Sequence, residues 1–163
     1  ALPSLLTQAL ARLPSHKVII YHNVTPSHFF EPFSQEMVRL SQLGREELSS
    51  LVPHVELALA DSEFNRQELV KLGFRNSQVF PLFVDFSKYK EPPSHFVHDL
   101  FDDGRTNLLF VGRIVPNKKI EDLIKVVFYY KKYVSPLVRL IIVGKTASCP
   151  RYFEGLPVAS TAK

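Results

Sequence analysis

The chain has 163 residues, and its 45% hydrophobic and 22% charged residues are typical of a soluble globular protein, with room for one ordinary domain or two incomplete ones. The net charge of +4 suits an anionic ligand or an acidic membrane surface, but it is too small and too scattered for a nucleic-acid-binding protein. The single cysteine, Cys149, excludes an internal disulfide framework and fits a reducing compartment. No apolar run approaches the roughly 18 residues of a transmembrane helix, so we expect a cytoplasmic protein.

Helices and strands alternate through residues 1–82, which is typical of a parallel sheet. Ser62 and Gly73 are well placed as the N-cap and the C′ residue of one of these helices, and Ser4 is a plausible N-cap of the first. The predicted elements are a helix over Leu2–Leu13, a strand over Lys17–Tyr21, a helix over Ser34–Leu51, a strand over Val55–Ala60, a helix over Glu63–Leu72 and a strand over Gln78–Leu82.

His22 and Asn23 directly follow the first predicted strand. In open α/β sheets, ligands bind outside the carboxyl ends of the strands, so both side chains are candidates to face a ligand. The alternative is a structural role in which they hydrogen-bond within the loop.

The alternation stops between Phe83 and Arg105. This segment is rich in turn-forming residues, namely Pro92, Pro93, Asp102, Asp103 and Gly104. His95 and His98 lie in it at a spacing of three, and we expect both to be solvated. The segment predicts a linker, with a first domain over residues 1–82 and a second over residues 106–163.

The sequence NLLFVGRIVPNKK at 107–119 contains the most informative loop of the chain. Leu108–Val111 predicts a buried parallel strand, and Gly112 turns the chain at its carboxyl end. Arg113 and Lys118 then bracket the loop before a predicted helix over Ile120–Val134. The two cations could bind one polyanion, the arginine through its planar fork and the lysine as a point charge. The alternative is a solvated basic loop. A further strand is predicted over Val138–Val143, followed by Gly144.

Several catalytic schemes lack their motif. The sequence has no GxGxxG, Walker, GxSxG, HExxH or CxxC pattern, and its six histidines are too irregularly spaced for a metal site. Cys149 stands beside Pro150 in what reads as a polar turn, without a neighbouring base. We therefore expect neither a nucleophilic cysteine nor a bound metal.

Four blocks of the sequence resemble the GT-B glycosyltransferases of family 4. They are YHNVTP at 21–26, ADSEFNRQELVKLGF at 60–74, VFPLFVDFSKY at 79–89 and LLFVGRIVPNKKIEDLI at 108–124, with IIVG at 141–144 closing the last. The resemblance implies an α/β, GT-B-like fold with parts of two Rossmann-like domains, the first for the acceptor and the second for the donor. It also implies sugar transfer with retention from a UDP- or GDP-sugar, without an obligatory metal or other cofactor.

Carried over to this sequence, the family pattern assigns Arg113 and Lys118 to the donor diphosphate, beside Gly112 and Gly144. Cations aimed at the leaving diphosphate stabilise the negative charge that develops there in the transition state. His22 matches the acceptor-side histidine, and Asn23 follows it. One departure is Lys119, where a glycine usually follows the lysine.

The resemblance further implies a donor domain that continues into two glutamates spaced eight positions apart. Glu154 faintly matches the first, but Ala162 stands where the second would be. We therefore expect a central piece of the enzyme that does not turn over alone. A saccharide or lipid-linked acceptor, peripheral membrane contact, and a complementary chain or oligomer are the partners expected, with no nucleic acid. The alternative is a non-catalytic GT-B-like scaffold or partner-binding subunit.

Overall fold

The structure, a computed structural model, describes residues 5–92 and 94–157. It is a mixed α/β protein with two short parallel sheets, as the alternation of helices and strands predicts. The chain divides into two compact units. The first comprises residues up to Glu31 and Gln35–Asp85, and the second comprises Pro32–Ser34 and the residues from Phe86 onward. The predicted cap Ser4 and the turn residue Pro93 lie outside the described residues, and so does Ala162.

The first unit contains a three-stranded parallel sheet in the order β1-β2-β3. Its elements are α1 (Leu5–Arg12), β1 (Val18–Tyr21), α2 (Gln35–Ser50), β2 (Leu57–Ala60), α3 (Glu63–Leu72) and β3 (Ser77–Val79). In this register Tyr21 lies opposite Ala60, and Ala60 lies opposite Val79. The carboxyl ends of the three strands therefore share one edge of the sheet.

Helix α3 begins and ends where its capping residues predict. The Ser62 hydroxyl accepts a hydrogen bond from the backbone N–H of Asn65, satisfying one of the free donors of the first turn. Gly73 has a φ of 103°, which an L side chain rarely adopts, and its N–H donates to the carbonyls of Leu69 and Val70. Both predicted caps are confirmed.

Small residues in β2 allow close packing of the first core. Ala58 and Ala60 are fully buried, and α3 contributes Leu69 beside them. The other buried members of this cluster are Tyr21, Val24, Leu48 and Phe74. Strand β3 is shorter than the predicted Gln78–Leu82. Its last sheet contact is the Phe80 N–H on the Ala60 carbonyl, and the next residue, Pro81, has no N–H to donate.

The second unit contains a two-stranded parallel sheet. Its elements are α4 (His95–Phe101), β4 (Thr106–Val111), α5 (Ile120–Tyr133), β5 (Val138–Val143) and α6 (Pro150–Glu154). β4 and β5 align from Thr106 with Val138 to Val111 with Val143. The buried cluster is formed by Ile114, Val115, Ile120, Cys149 and Tyr152, with Leu123 and Ile124 of α5 packed against it.

Two predictions about burial in this unit are wrong. We expected β4 to be buried throughout, but Leu109 and Val111 are exposed, while Phe110 packs on the core between them. The described residues cover only one side of β4, so its apolar residues alternate between half-buried and exposed. Cys149 was expected in a polar turn; it is instead the N-cap residue of α6 and is buried in the core.

The segment predicted as a linker contains a short helix, α4. The sequence did not predict this helix because turn-forming residues lie on both sides of it. Arg139 of β5 holds this segment on the sheet. Its guanidinium donates to Asn107 and Asp103 and lies 4.9 Å from the centre of the Phe101 ring. His95 and His98 are both exposed, as expected.

The predicted domain boundaries stay predictions. Within the described residues, no helix has the length and apolar character needed to cross a membrane.

Candidate functional site

Two loops carry the residues that the sequence predicts to bind ligands, one in each unit. In the first unit, residues 22–24 leave β1 and residues 61–62 leave β2 at the same edge of the sheet. Asn23 has a φ of 81°, in the left-handed region that asparagine tolerates better than most residues.

Glu68 of α3 holds this loop through its two carboxylate oxygens. Oε2 accepts hydrogen bonds from the Tyr21 hydroxyl at 2.7 Å and from the Asn23 amide at 3.3 Å. Oε1 accepts from the Arg45 guanidinium at 2.7 Å, and the same Arg45 nitrogen donates to the Val24 carbonyl. The loop is thus tied to α2 through its backbone and to α3 through its side chains. We call these side chains of Tyr21, Asn23, Arg45 and Glu68 the Glu68 network.

Asn23 has a structural role within this network. Its side-chain amide also donates to the side-chain Oδ1 of Asn65 at 2.7 Å, so the Asn23 donors point into the protein. A ligand role for Asn23 stays a prediction, but hydrogen bonds inside the unit already account for its residue type and its backbone conformation.

Tyr21 connects the network to the core. Burial of its ring and its hydrogen bond to Glu68 raise the pKa of Tyr21 to about 12. The same hydroxyl accepts from the Val24 N–H at 3.1 Å, so it satisfies a buried donor of the loop. The network therefore depends on a neutral Tyr21 that both donates and accepts.

His22 is more available than its neighbour. Its side chain is 55% exposed, and its Nδ1 lies 3.6 Å from Oδ2 of Asp61. The other Asp61 oxygen, Oδ1, accepts from Ser62 and Asn65, which orients the carboxylate. Asp61 therefore faces His22 with an oxygen that these two bonds leave open. At 3.6 Å the two groups are beyond hydrogen-bond distance, and the imidazole stays exposed beside the carboxylate.

Sequence reasoning missed Asp61 and Glu68 as parts of this site. Asp61 directly follows β2 at the carboxyl edge, so the argument that selected His22 could also have selected it. Glu68 carried no such signal, because its partners are 23 to 47 positions away in the chain.

In the second unit, backbone hydrogen bonds join the loops that follow β4 and β5. The Gly112 N–H donates to the Val143 carbonyl at 2.9 Å, and the Ile114 N–H donates to the Lys145 carbonyl at 3.0 Å. A Cβ on Gly144 would lie 1.7 Å from the Gly112 carbonyl oxygen. The close approach of the two backbones explains why residue 144 is a glycine. Contact of Gly112 or Gly144 with the nucleotide-sugar stays a prediction.

Arg113 and Lys118 lie on either side of three buried residues. Ile114, Val115 and Pro116 between them are buried, whereas both cations are exposed. Across residues 5–92 and 94–157, neither side chain has a hydrogen bond or an ion pair. The backbone that carries them is held in place while their charges are free to bind an anion.

The first N–H of α5 already has a hydrogen-bond acceptor, so it is not available to bind an anion. That group, on Ile120, donates to the Tyr152 hydroxyl at 2.8 Å, and the hydroxyl in turn donates to Glu121. Burial and the bond to Glu121 raise the pKa of Tyr152 to about 12. Glu121 and Asp122 also add negative charge to the first turn. An anion here would therefore depend on side-chain cations more than on the helix dipole.

Lys119, the departure from the family pattern, precedes this helix with a φ of 52°. The left-handed conformation explains why glycine suits the position. The Lys119 side chain is 55% exposed, and its Nζ lies 3.8 Å from Glu121.

The described part of the chain contains no cluster of three His, Cys, Asp or Glu side chains that could hold a metal ion. We find no match to the chain among protein-family models, curated proteins or solved structures. Membership of the glycosyltransferases therefore stays a prediction that rests on the sequence blocks.

Proposed function

We propose that this chain is part of a retaining glycosyltransferase of the GT-B type, and that the loop after β4 binds the diphosphate of a UDP- or GDP-sugar. The observation that carries the proposal is the pair Arg113 and Lys118. Both cations are exposed and unpaired among the described residues, at the carboxyl end of a parallel strand. This is where open α/β sheets bind ligands. The parallel sheets are compatible with parts of Rossmann-like domains.

In this function the two cations act on the leaving group. As the bond between the sugar carbon and the diphosphate breaks, negative charge accumulates on the diphosphate oxygens. Arg113 and Lys118 stabilise that charge more strongly in the transition state than in the bound donor, which raises the rate. His22, which is exposed beside Asp61, is proposed to contact a hydroxyl of the saccharide or lipid-linked acceptor.

Calorimetric titration of the chain with UDP, GDP and inorganic pyrophosphate tests the donor site. Charge-assisted contacts contribute about 1.5–3 kcal/mol, so Arg113→Ala and Lys118→Ala should each weaken nucleotide binding roughly tenfold to a hundredfold. Lys71→Ala is the matched control, since it removes an exposed lysine from α3 of the first unit. Unchanged affinity in both site variants would refute the diphosphate assignment.

The same titration separates a glycosyltransferase from a general polyanion-binding domain. Nucleoside-diphosphate sugars should bind more tightly than pyrophosphate if base or sugar contacts exist. Equal affinities would favour the polyanion domain. Product formation from a panel of UDP- and GDP-sugars would show that the chain needs no second glutamate, contrary to our expectation that it does not turn over alone.

A second candidate is the non-catalytic scaffold that binds a complementary chain or forms an oligomer. Open sheet edges and the exposed face of β4, with Leu109 and Val111, favour it. Light scattering distinguishes the two candidates, because a monomer that melts cooperatively would argue against the scaffold.

A further inference from the structure

Lys145 is a further exposed cation at the carboxyl edge of the second sheet. Strand β5 ends at Val143, and Lys145 follows two residues later. Its side chain is exposed, and across residues 5–92 and 94–157 it has no hydrogen bond or ion pair. In this respect it is like Arg113 and Lys118. The resemblance that assigns those two residues to the diphosphate does not assign Lys145.

Backbone hydrogen bonds place Lys145 beside Arg113. The Gly112 N–H donates to the Val143 carbonyl at 2.9 Å, which extends the ladder of β4 and β5 by one bond. The Ile114 N–H donates to the Lys145 carbonyl at 3.0 Å, which repeats that bond two residues further on. Because parallel ladders repeat their bonds at every second residue, Arg113 and Lys145 occupy neighbouring positions. Neighbouring cations repel each other, so the pair costs stability unless an anion binds to both.

Neither acidic residue at the start of α5 neutralises these cations. The Glu121 carboxylate accepts from the Tyr152 hydroxyl and lies 3.8 Å from the Lys119 ammonium. The Asp122 carboxylate accepts from the Lys125 ammonium at 2.9 Å. Each carboxylate therefore has its own cation, and the charges after β4 and β5 remain for an anion from solution.

We infer that Lys145 binds the diphosphate of the nucleotide-sugar together with Arg113 and Lys118. The inference rests on the proposed donor site and adds a binding residue to it. A released nucleoside diphosphate carries roughly three negative charges at neutral pH, because its terminal phosphate contributes about 1.5–2 of them. Three cations match that charge, whereas two leave part of it unbalanced. The third cation also replaces the contact that the first N–H of α5 does not offer, since that group donates to Tyr152.

Calorimetric titration of the chain with inorganic pyrophosphate and with UDP tests the role of Lys145. Lys145→Ala should weaken the binding of both ligands roughly tenfold, because it removes one charge-assisted contact. Lys145→Arg keeps the charge and should bind both ligands within about threefold of the unaltered chain. Lys131→Ala is the matched control. It removes the same charge from the last turn of α5 and should have less than about a twofold effect.

Inorganic phosphate provides a second readout. A single phosphate can be held by two cations, so Lys145→Ala should weaken its binding less than that of pyrophosphate. The preference of the chain for pyrophosphate over phosphate should fall at least about threefold in this variant and stay the same in Lys131→Ala. Thermal unfolding without ligand confirms that each variant is folded.

Three outcomes would overturn the inference. One is an unchanged affinity of Lys145→Ala for pyrophosphate, and another is an equal loss in Lys131→Ala. The third is an unchanged preference for pyrophosphate over phosphate in Lys145→Ala. If Arg113→Ala and Lys118→Ala still weaken binding in these cases, the proposed donor site stands without Lys145. If those two variants also bind UDP unchanged, or if the unaltered chain binds neither ligand, the donor site itself fails.

Discussion

The carboxyl edges of the two sheets use their polar residues differently. After β1, the side chains of Asn23 and Arg45 both donate to Glu68, and Arg45 also holds the loop by donating to the Val24 backbone carbonyl. After β4, buried apolar residues and backbone bonds hold the loop, while Arg113 and Lys118 carry no bond among the described residues.

The difference shows that position at a ligand-binding edge does not by itself make a residue available. Of the two candidates in the first loop, His22 keeps an exposed side chain, whereas Asn23 is occupied by the network. In the second loop the functional candidates are free because other residues supply the stability. Variants that remove the supports should therefore be damaging in both loops, and variants that remove the free cations should not.

The largest effect is expected for Gly144→Ala. Its new Cβ would meet the backbone carbonyl of Gly112 at 1.7 Å, so the ends of β4 and β5 must separate. We expect a loss of about 3 kcal/mol in the free energy of unfolding. Gly155→Ala is the control, since its Cβ would make ordinary contacts at 3.6 Å. Denaturant unfolding measures both, and equal stability of the two variants would disprove the close approach.

Glu68→Gln should have the next largest effect. The variant loses the carboxylate that accepts from Tyr21 and Arg45, and it leaves the partly buried guanidinium without its anion. The expected loss is about 2 kcal/mol. In contrast, Glu63→Gln breaks an exposed ion pair with Arg66 and should have a much smaller effect, because solvent screens that pair. Similar losses in the two variants would mean that the Glu68 network contributes no more than a surface pair.

Raising the pH should lower the free energy of unfolding of both units. The pKa of Tyr21 and of Tyr152 is raised from 10.0 to about 12 in the folded chain, so the unfolded chain loses these protons first. Their contribution to stability is complete below pH 10 and is lost as the pH rises to 12. Tyrosinate absorbance and unfolding measured across this interval check the prediction. A free energy of unfolding that is constant between pH 10 and 12 would contradict it.

The smallest effect on stability is expected for the free cations. Arg113→Ala and Lys118→Ala should each change the free energy of unfolding by less than about 0.5 kcal/mol, because both side chains are exposed and, among the described residues, unpaired. Thermal unfolding without ligand provides the measurement. A large loss in either variant would show that the residue supports the loop, and its effect on nucleotide binding would then be indirect.

Much of the local structure follows from the sequence. The caps Ser62 and Gly73 define α3, and β5 matches its predicted bounds of Val138–Val143. The start of α5 at Ile120 is also as predicted. These features depend on residues within one or two turns of each other, where capping and periodicity act directly.

Only the tertiary structure decided which polar residues are available and which apolar ones are covered. Glu68 accepts hydrogen bonds from Asn23 and Arg45, which lie far from it in the sequence, and no local sequence pattern predicts these contacts. The exposed side of β4 and the buried Cys149 likewise depend on what packs against them. Sequence patterns predicted the strands, helices and loops, because those depend on near neighbours. The occupied Asn23 and the free Arg113 became distinguishable only once long-range contacts were in place.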